Sequence, residues 1–477
     1  MATAPSLYPS PPSLQSKALQ LPELLENVAQ RLTSRPKDLR SAALVCKAWS
    51  TVFTAELWRI LNMPPLVQSK TLDLPSLYRM VRLVPRLECL QVNCCNGQEL
   101  SWLAPLKGLD HLIKLEFVNE PRPDASNTAS SDKKSCPDHL GEFLIARAST
   151  LRHLSLEAMI VAGFKLFESS ASTDKNGPRL PALAIETLIL SNTLVDNTAT
   201  TIDSLLRQCP RLIELDISRN FARPWQSLQW SILSDYCQRL THLDLSSCST
   251  IDNNQLVKVV WACPGMSSLV ACQSNIESKV LHAIVDRWIG RDSKSKVVEP
   301  FTILDVSCCS GVNQASIERG LKHIDTLTVV KISWCLNIGM TVFYPEWGCP
   351  NLQHLEVQGL SFQDLDEDET EVGEYSVEWA MFRRLGTLKA LQRLTIGSME
   401  SYLGMENGFG HMRDLKQLED IMVIGTDVLE VRELEVIAAL PRLQSFAFRM
   451  GFVTKRMQQW LRSKRPDIEQ IEQPFHY

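Results

Sequence analysis

A short pattern, apolar-x-x-apolar-x-apolar, runs through most of this chain. It begins at Leu87, Leu112, Leu151, Ile185, Leu212, Leu240, Met266, Phe301, Leu327, Leu352, Leu391, Leu418 and Leu443, thirteen copies in all. Most intervals are 25 to 28 residues, and the longer ones contain polar insertions whose removal restores the period. Within each copy the last two apolar positions are two residues apart, the period of a strand, so the residue between them points to the opposite face. Between copies the spacing changes to three and four. Ile202, Leu205, Leu206 and Cys209 share one face of a helix predicted over 198–209, as do Leu256, Val259, Val260 and Cys263 over 253–263. One strand and one helix cannot bury their own apolar face, but stacked copies can. The expected fold is an α/β solenoid: parallel strands on a concave face, helices outside, and a horseshoe bend set by the wider helical layer. An all-helical repeat array is the competing reading, because such short runs are ambiguous by period alone.

Ahead of the repeats, residues 21–61 keep helical spacing. Leu21, Leu24, Leu25, Val28 and Leu32 line one face of a first predicted helix, and Pro36 breaks it. Asp38 is placed to cap a second, with Leu39, Ala42, Cys46 and Trp49 on one face and Ala43 and Val45 broadening it. Leu57, Trp58 and Leu61 predict a third, ended by Pro64 and Pro65. A unit of about 40 residues is usually too small to bury so many large apolar side chains alone, so the surplus is expected to face a partner. In order, Leu21-Pro22, Leu24-Leu25, Val28, Leu32, Asp38-Leu39, Val45-Cys46-Lys47-x-Trp49 and Leu57-Trp58 resemble the F-box family. One residue fewer than is common there separates the Leu-Pro pair from the leucine pair. The resemblance implies a three-helix module that docks on a Skp-type adaptor, and through it on the cullin and RING subunits of a ubiquitin ligase. The residues it implies for that contact are Leu21, Pro22, Leu24, Leu25, Val28, Leu32, Leu39, Val45, Cys46, Trp49 and Trp58.

The repeats resemble the leucine-rich-repeat family. LRHLSL, LIELDI, LTHLDL and LQHLEV fit its strand signature well, whereas MSSLVA and LEDIMV are degenerate. Cys-Pro precedes three copies, at Cys209-Pro210, Cys263-Pro264 and Cys349-Pro350, and Cys248, Cys309 and Cys335 follow others. That combination is similar to the cysteine-containing subclass, which commonly follows an F-box. The expected organisation is a flexible Pro/Ser-rich leader over 1–20, the F-box over 21–61 and a connecting cap segment over 62–84. The repeat domain is expected over 85–450, with insertions at 119–138, 168–181, 290–299 and 361–375. A cap and tail over 451–477 contain an amphipathic helix carrying Met457, Trp460 and Leu461.

Composition narrows the function classes. At 477 residues the chain exceeds the size at which single cores stop growing, which favours a solenoid or several domains. A net charge of -5 gives no basic footprint for nucleic acid. No apolar run approaches the roughly 18 residues needed to span a bilayer. The 14 cysteines form no CxxC pair and no N-x-Ser/Thr sequon occurs, so reduced packing thiols in a cytoplasmic or nuclear protein are expected. Segment 361–375 concentrates Asp364, Asp366, Glu367, Asp368, Glu369, Glu371 and Glu374, either as a solvated loop or as a contact for a basic partner.

The candidate target-binding residues are those expected to point to the concave surface: Ser155, Ile189, Asp216, Asp244, Val270, Asp305, Lys331, Glu356 and Thr395. Four acids among them predict a mildly acidic face, and Ile189 and Val270 offer apolar anchors. The Leu-Asp-Leu-Ser form equally fits a strand-and-turn preference. No hydrolase elbow, P-loop, HExxH or kinase signature occurs. His153, His242 and His354 share a strand position, but His153 and His242 are three strands apart, about 14 Å at ordinary strand spacing, too far to share one ion. No catalytic residue, metal or cofactor is expected. The sequence therefore reads as a substrate-recognition subunit of an SCF-type ubiquitin ligase, with a non-degradative leucine-rich-repeat scaffold as the alternative.

Overall fold

A computed structural model describes residues 28, 40, 60–63, 86–94, 103–119, 139–158, 160–161, 180–195, 199–220, 228–290, 299–360, 377–397, 408–425, 431–449 and 455–472. Its strands are β1 (Ile60–Met63), β2 (Cys89–Cys94), β3 (Lys114–Asn119), β4 (His153–Glu157), β5 (Ile160–Val161), β6 (Thr187–Ile189), β7 (Leu194–Val195), β8 (Glu214–Asp216) and β9 (His242–Asp244). They continue with β10 (Ser268–Val270), β11 (Ile303–Asp305), β12 (Val329–Lys331), β13 (His354–Gln358), β14 (Arg393–Gly397), β15 (Asp420–Ile424), β16 (Ser445–Arg449) and β17 (Glu469–Glu472). All but β5 and β7 form one 15-stranded sheet in chain order, and every pairing in it is parallel. β5 pairs with β7 in a separate ribbon.

Each of the thirteen sequence patterns contributes one strand of this sheet, including the degenerate copies at β10 and β15. The register sets template residue against template residue, for example Leu188 against Leu215 and Leu215 against Leu243. Every described template residue is at most 5 % exposed, and together they form one continuous apolar core. That core is what a single repeat lacks, so stacking drives the fold. An all-helical array is thereby excluded. Helices return the chain between strands where the apolar spacing indicated them. Ala199–Arg207 buries Ile202, Leu205 and Leu206, and Asn253–Ala262 buries Leu256, Val259 and Val260. The latter is started by Asp252, whose Oδ1 accepts from the backbone N–H of Asn254 and Gln255 at 3.0 and 3.1 Å.

One expectation is corrected. Leu61 closes the third predicted helix in the sequence reading, yet Ile60–Met63 is a strand paired with β2. Trp58, Leu61 and Met63 also fit the strand pattern, and at this place sheet pairing overrides the helical spacing. At the other end β17 extends the sheet past the amphipathic helix, which spans Lys455–Lys464 and buries Leu461.

The turn after each strand is built the same way eight times in succession. Ala158, Asn192, Arg219, Ser247, Gln273, Cys308, Trp334 and Gly359 all take a left-handed backbone, with φ between 52 and 62°. Only one is glycine, so each of the others costs about 1 kcal/mol or more. The conformation aims each backbone N–H at a carbonyl of the next repeat, at 2.6 to 2.9 Å, which extends the ladder around the corner. At Gly359 the choice of residue is forced, because a Cβ there would lie 2.4 Å from the Trp334 ring.

Inside this corner a buried strand-end carbonyl accepts a side-chain hydrogen bond from the following repeat. Thr193 Oγ1 donates to Leu156 O at 2.6 Å and Asn220 Nδ2 to Leu190 O at 2.8 Å. Cys248 Sγ donates to Ile217 O at 3.2 Å, Cys309 Sγ to Ala271 O at 2.9 Å and Cys335 Sγ to Val306 O at 3.1 Å. The recurring cysteines are thus small buried donors in the place where other repeats use Thr or Asn. A second thiol series stacks at the helix ends, where Cys263 Sγ donates to Cys237 O at 3.5 Å. Burial pushes Cys237, Cys248 and Cys335 up to about 12 and Cys263 and Cys349 up to about 11.

Arginines clamp neighbouring repeats on the helical side. The Arg287 guanidinium, 7 % exposed, donates to Val260 O, Cys263 O and Met266 O at 3.0, 2.6 and 2.7 Å. It satisfies carbonyls that the end of helix Asn253–Ala262 leaves open. Arg465 repeats the device on Ala438 O, Leu440 O and Leu443 O.

Three outcomes are expected. Arg287→Met keeps the aliphatic stem but strands buried carbonyls, and should cost about 2 kcal/mol or more in urea unfolding. Lys389→Ala, which breaks the exposed pair with Asp414, should cost less than about 1 kcal/mol. In the folded protein iodoacetamide should spare Cys209, Cys237, Cys248, Cys263, Cys309, Cys335 and Cys349, and modify them after denaturation. Labelling of Cys248 in the folded chain at the rate of a free thiol would contradict the corner geometry.

Candidate functional site on the open sheet face

The residues between the two buried positions of each strand fall on one line across the sheet. In register order they are Ser155, Ile189, Asp216, Asp244, Val270, Asp305, Lys331, Glu356 and Thr395. All nine predicted target-binding residues are therefore brought into a single row on the face away from the helices. Eight are half-buried; Ser155 is only 4 % exposed and offers no accessible surface. The row continues through Glu116 on one side and Met422 on the other.

The three aspartates have a local task. Backbone N–H groups of Ser218, Ser246 and Ser307 donate to Oδ1 of Asp216, Asp244 and Asp305 at 2.8, 2.8 and 3.1 Å. Each carboxylate thereby fixes the corner two residues on, as Asp does in short turns. The preference for Asp in this repeat thus has a turn origin, and the acid's remaining surface faces the open side. Burial raises the pKa of Asp244, with further repulsion from Asp216 and Asp305, and burial likewise raises Asp305.

Glu356 behaves differently. Lys331 Nζ and His354 Nε2 each lie 2.9 Å from its Oε1. Burial opposes its ionisation, but the hydrogen bonds from His354 and Lys331 outweigh that and hold the carboxyl at about 2. Glu116 is matched in the same way, with Lys114 Nζ at 2.8 Å and His153 Nε2 at 3.1 Å. Burial and the neighbouring Lys114 lower the His153 imidazole, against the pull of Glu116. The three histidines that share a strand position are separate, as their spacing implies: His153 and His354 each face a glutamate, and His242 Nδ1 lies 2.6 Å from Thr241 Oγ1. Among the described residues no cluster of His, Cys, Asp and Glu could hold a metal ion.

Sequence reasoning missed several residues of this face. Lys114 and Glu116 belong to it through β3, and Ile303 and Val329 are half-exposed two residues before Asp305 and Lys331. The strand period places residues two apart on one face, so that signal was present in the sequence. Of the predicted adaptor-binding residues only Val28 is described; it is helical and 46 % exposed. Leu21, Pro22, Leu24, Leu25, Leu32, Leu39, Val45, Cys46, Trp49 and Trp58 lie outside the described residues, as does the acidic segment 361–375. Among the described residues no helix is long and apolar enough to cross a membrane.

No family model matches the chain, and no curated protein does. Solved structures do resemble it at low identity. A leucine-rich-repeat protein of Leptospira interrogans is 14% identical, with a TM-score of 0.42, over 87% of this chain and 95% of that one. An internalin of Listeria monocytogenes is 12% identical, with a TM-score of 0.44, over 86% and 93%. A third likeness, to a crystal structure of a Rad7 and Elc1 complex in yeast, is at 12% identity and a TM-score of 0.45, over 97% and 98%.

The matched carboxylate yields a pH prediction. Because the folded pKa of Glu356 lies below its unfolded value, its contribution is present above pH 4.5 and is lost as pH falls toward about 2. Glu356→Gln should lower stability at neutral pH by on the order of 2 kcal/mol and flatten the acid limb of the unfolding profile. An acid limb identical to that of the unsubstituted protein would refute the pairing.

Proposed function

We propose that this chain is the substrate-recognition subunit of an SCF-type cullin-RING ubiquitin ligase. Residues 21–61 would dock on a Skp-type adaptor, and the open face of the solenoid would hold a target protein. The observation that carries this reading is the order of parts: an F-box-like apolar series precedes a long solenoid whose open face sets a row of mixed side chains in register. A parallel sheet fixes the spacing of such a row at about 4.8 Å per strand, a rigid support for recognising a protein surface.

In this role the chain performs no bond chemistry. It raises the local concentration of target lysines around a conjugating enzyme bound elsewhere in the assembly, an effective-molarity contribution. The adaptor contact would rest on a few apolar anchors, with Leu25 and Trp49 each worth about 2 kcal/mol or more. The chain would then contact cullin and RING subunits only through the adaptor.

Changing Leu21, Leu25 and Val28 together to Asp should abolish co-purification of the Skp-type adaptor while leaving the solenoid folded. Undiminished co-purification would show that this stretch is not the docking element.

A further inference from the structure

We propose that the open face over β8–β12 takes an extended target segment in which cationic side chains alternate with aliphatic ones. The inference rests on the receptor reading above and names the chemistry of what is received. Two features of the face lead to it, and they lie side by side.

The first is the distribution of charge along the row. Glu116 and Glu356 carry their own cations within 3.1 Å. Between them Asp216 and Asp244 are directly opposed on neighbouring strands, and Asp305 follows two strands on. Asp305 stands opposite Lys331, whose charge favours its ionisation, whereas Asp216 and Asp244 have only each other and Val270 as cross-strand partners on the inner side. Like charges facing one another across strands are unfavourable, and cations brought by a partner would reverse that cost. The flanks of the face are thus neutralised from within, while the opposed Asp216 and Asp244 at its centre are open to charge from outside.

The second is an apolar surface beside those carboxylates. Ile303 and Val329 are direct neighbours on β11 and β12, and Val270 on β10 pairs with Asp305, diagonal to Ile303. All three are half-exposed, although each stands next to strand residues that are almost fully buried. An aliphatic side chain laid there would remove both surfaces from water. The ion pair of Lys331 with Glu356 bounds this patch on the far side.

Geometry sets the length of the segment. Five strands at about 4.8 Å span roughly 19 Å, which an extended chain crosses in about six residues at ~3.3 Å each. Alternate side chains of such a segment point the same way, so the face reads every second residue. An acidic or purely polar segment fits neither the opposed aspartates nor the patch.

The test uses the full-length chain and three labelled peptides of equal length, alternating Arg with Leu, Arg with Ser, and Glu with Leu, followed by fluorescence anisotropy at physiological salt. The Arg-Leu peptide should bind at least about tenfold more tightly than either comparator, the scale of a few desolvated charge and apolar contacts. Substituting Asp216→Asn, Asp244→Asn and Asp305→Asn together keeps an oxygen for each corner N–H and should weaken that binding by about tenfold or more. Val270→Ser with Ile303→Ser should do the same. Should the triple variant unfold, Asp244→Asn alone should show the same direction of change. Equal binding by the triple variant, or equal binding of the Arg-Ser peptide, would overturn the inference. Adaptor co-purification in the same preparations separates the two ideas. Adaptor bound without peptide discrimination leaves the receptor reading standing and this inference refuted; discrimination without adaptor does the reverse.

Discussion

At five corners a buried strand-end carbonyl accepts a side-chain hydrogen bond from the following repeat. The donor comes from the next repeat, as Thr193, Asn220, Cys248, Cys309 or Cys335, and the left-handed residue just before it turns the backbone so that the donor reaches. A net hydrogen bond is worth about 0.5 to 1.5 kcal/mol, so a repeat removed from its neighbour loses these bonds as well as apolar burial. This coupling fixes the register. With register fixed, the residues between the buried positions stand in line across the open face. Asp216, Asp244 and Asp305 connect the two levels, since each holds its corner with one oxygen and lends its charge to the face.

The strands were the most legible part of the sequence, because thirteen copies of one apolar pattern leave little choice once stacking is required. The alternating row followed from the strand period. What escaped reading depended on side-chain reach. Arg287 looks like an ordinary helix-surface residue, and only the packing of two repeats shows that its guanidinium ends among three carbonyls. Seven of the eight left-handed corners carry no glycine to mark them. Leu61 was assigned to a helix because Leu57, Trp58 and Leu61 fit that spacing as well as Trp58, Leu61 and Met63 fit a strand. The acidity of the face was only partly legible, since Glu356 counts as an acid in the sequence but is held by Lys331 and His354 in the fold.

In the proposed role, function is divided between two parts of the chain. The F-box-like stretch would supply an address and the open face selectivity. The cysteines, which at first invite a redox or metal reading, belong to the scaffold: burial raises their pKa values, and their protons are engaged by carbonyls.

The most direct test of a presenting role bypasses the unknown target. A lysine-bearing carrier protein is photocrosslinked to the open face through a benzophenone residue placed at Thr395, and the product is combined with Skp-type adaptor, cullin, RING subunit, conjugating enzyme and ubiquitin. Ubiquitin should be transferred to the carrier, and the transfer should require the intact stretch at Leu21, Leu25 and Val28. A carrier left unmodified while the adaptor is fully bound would contradict it.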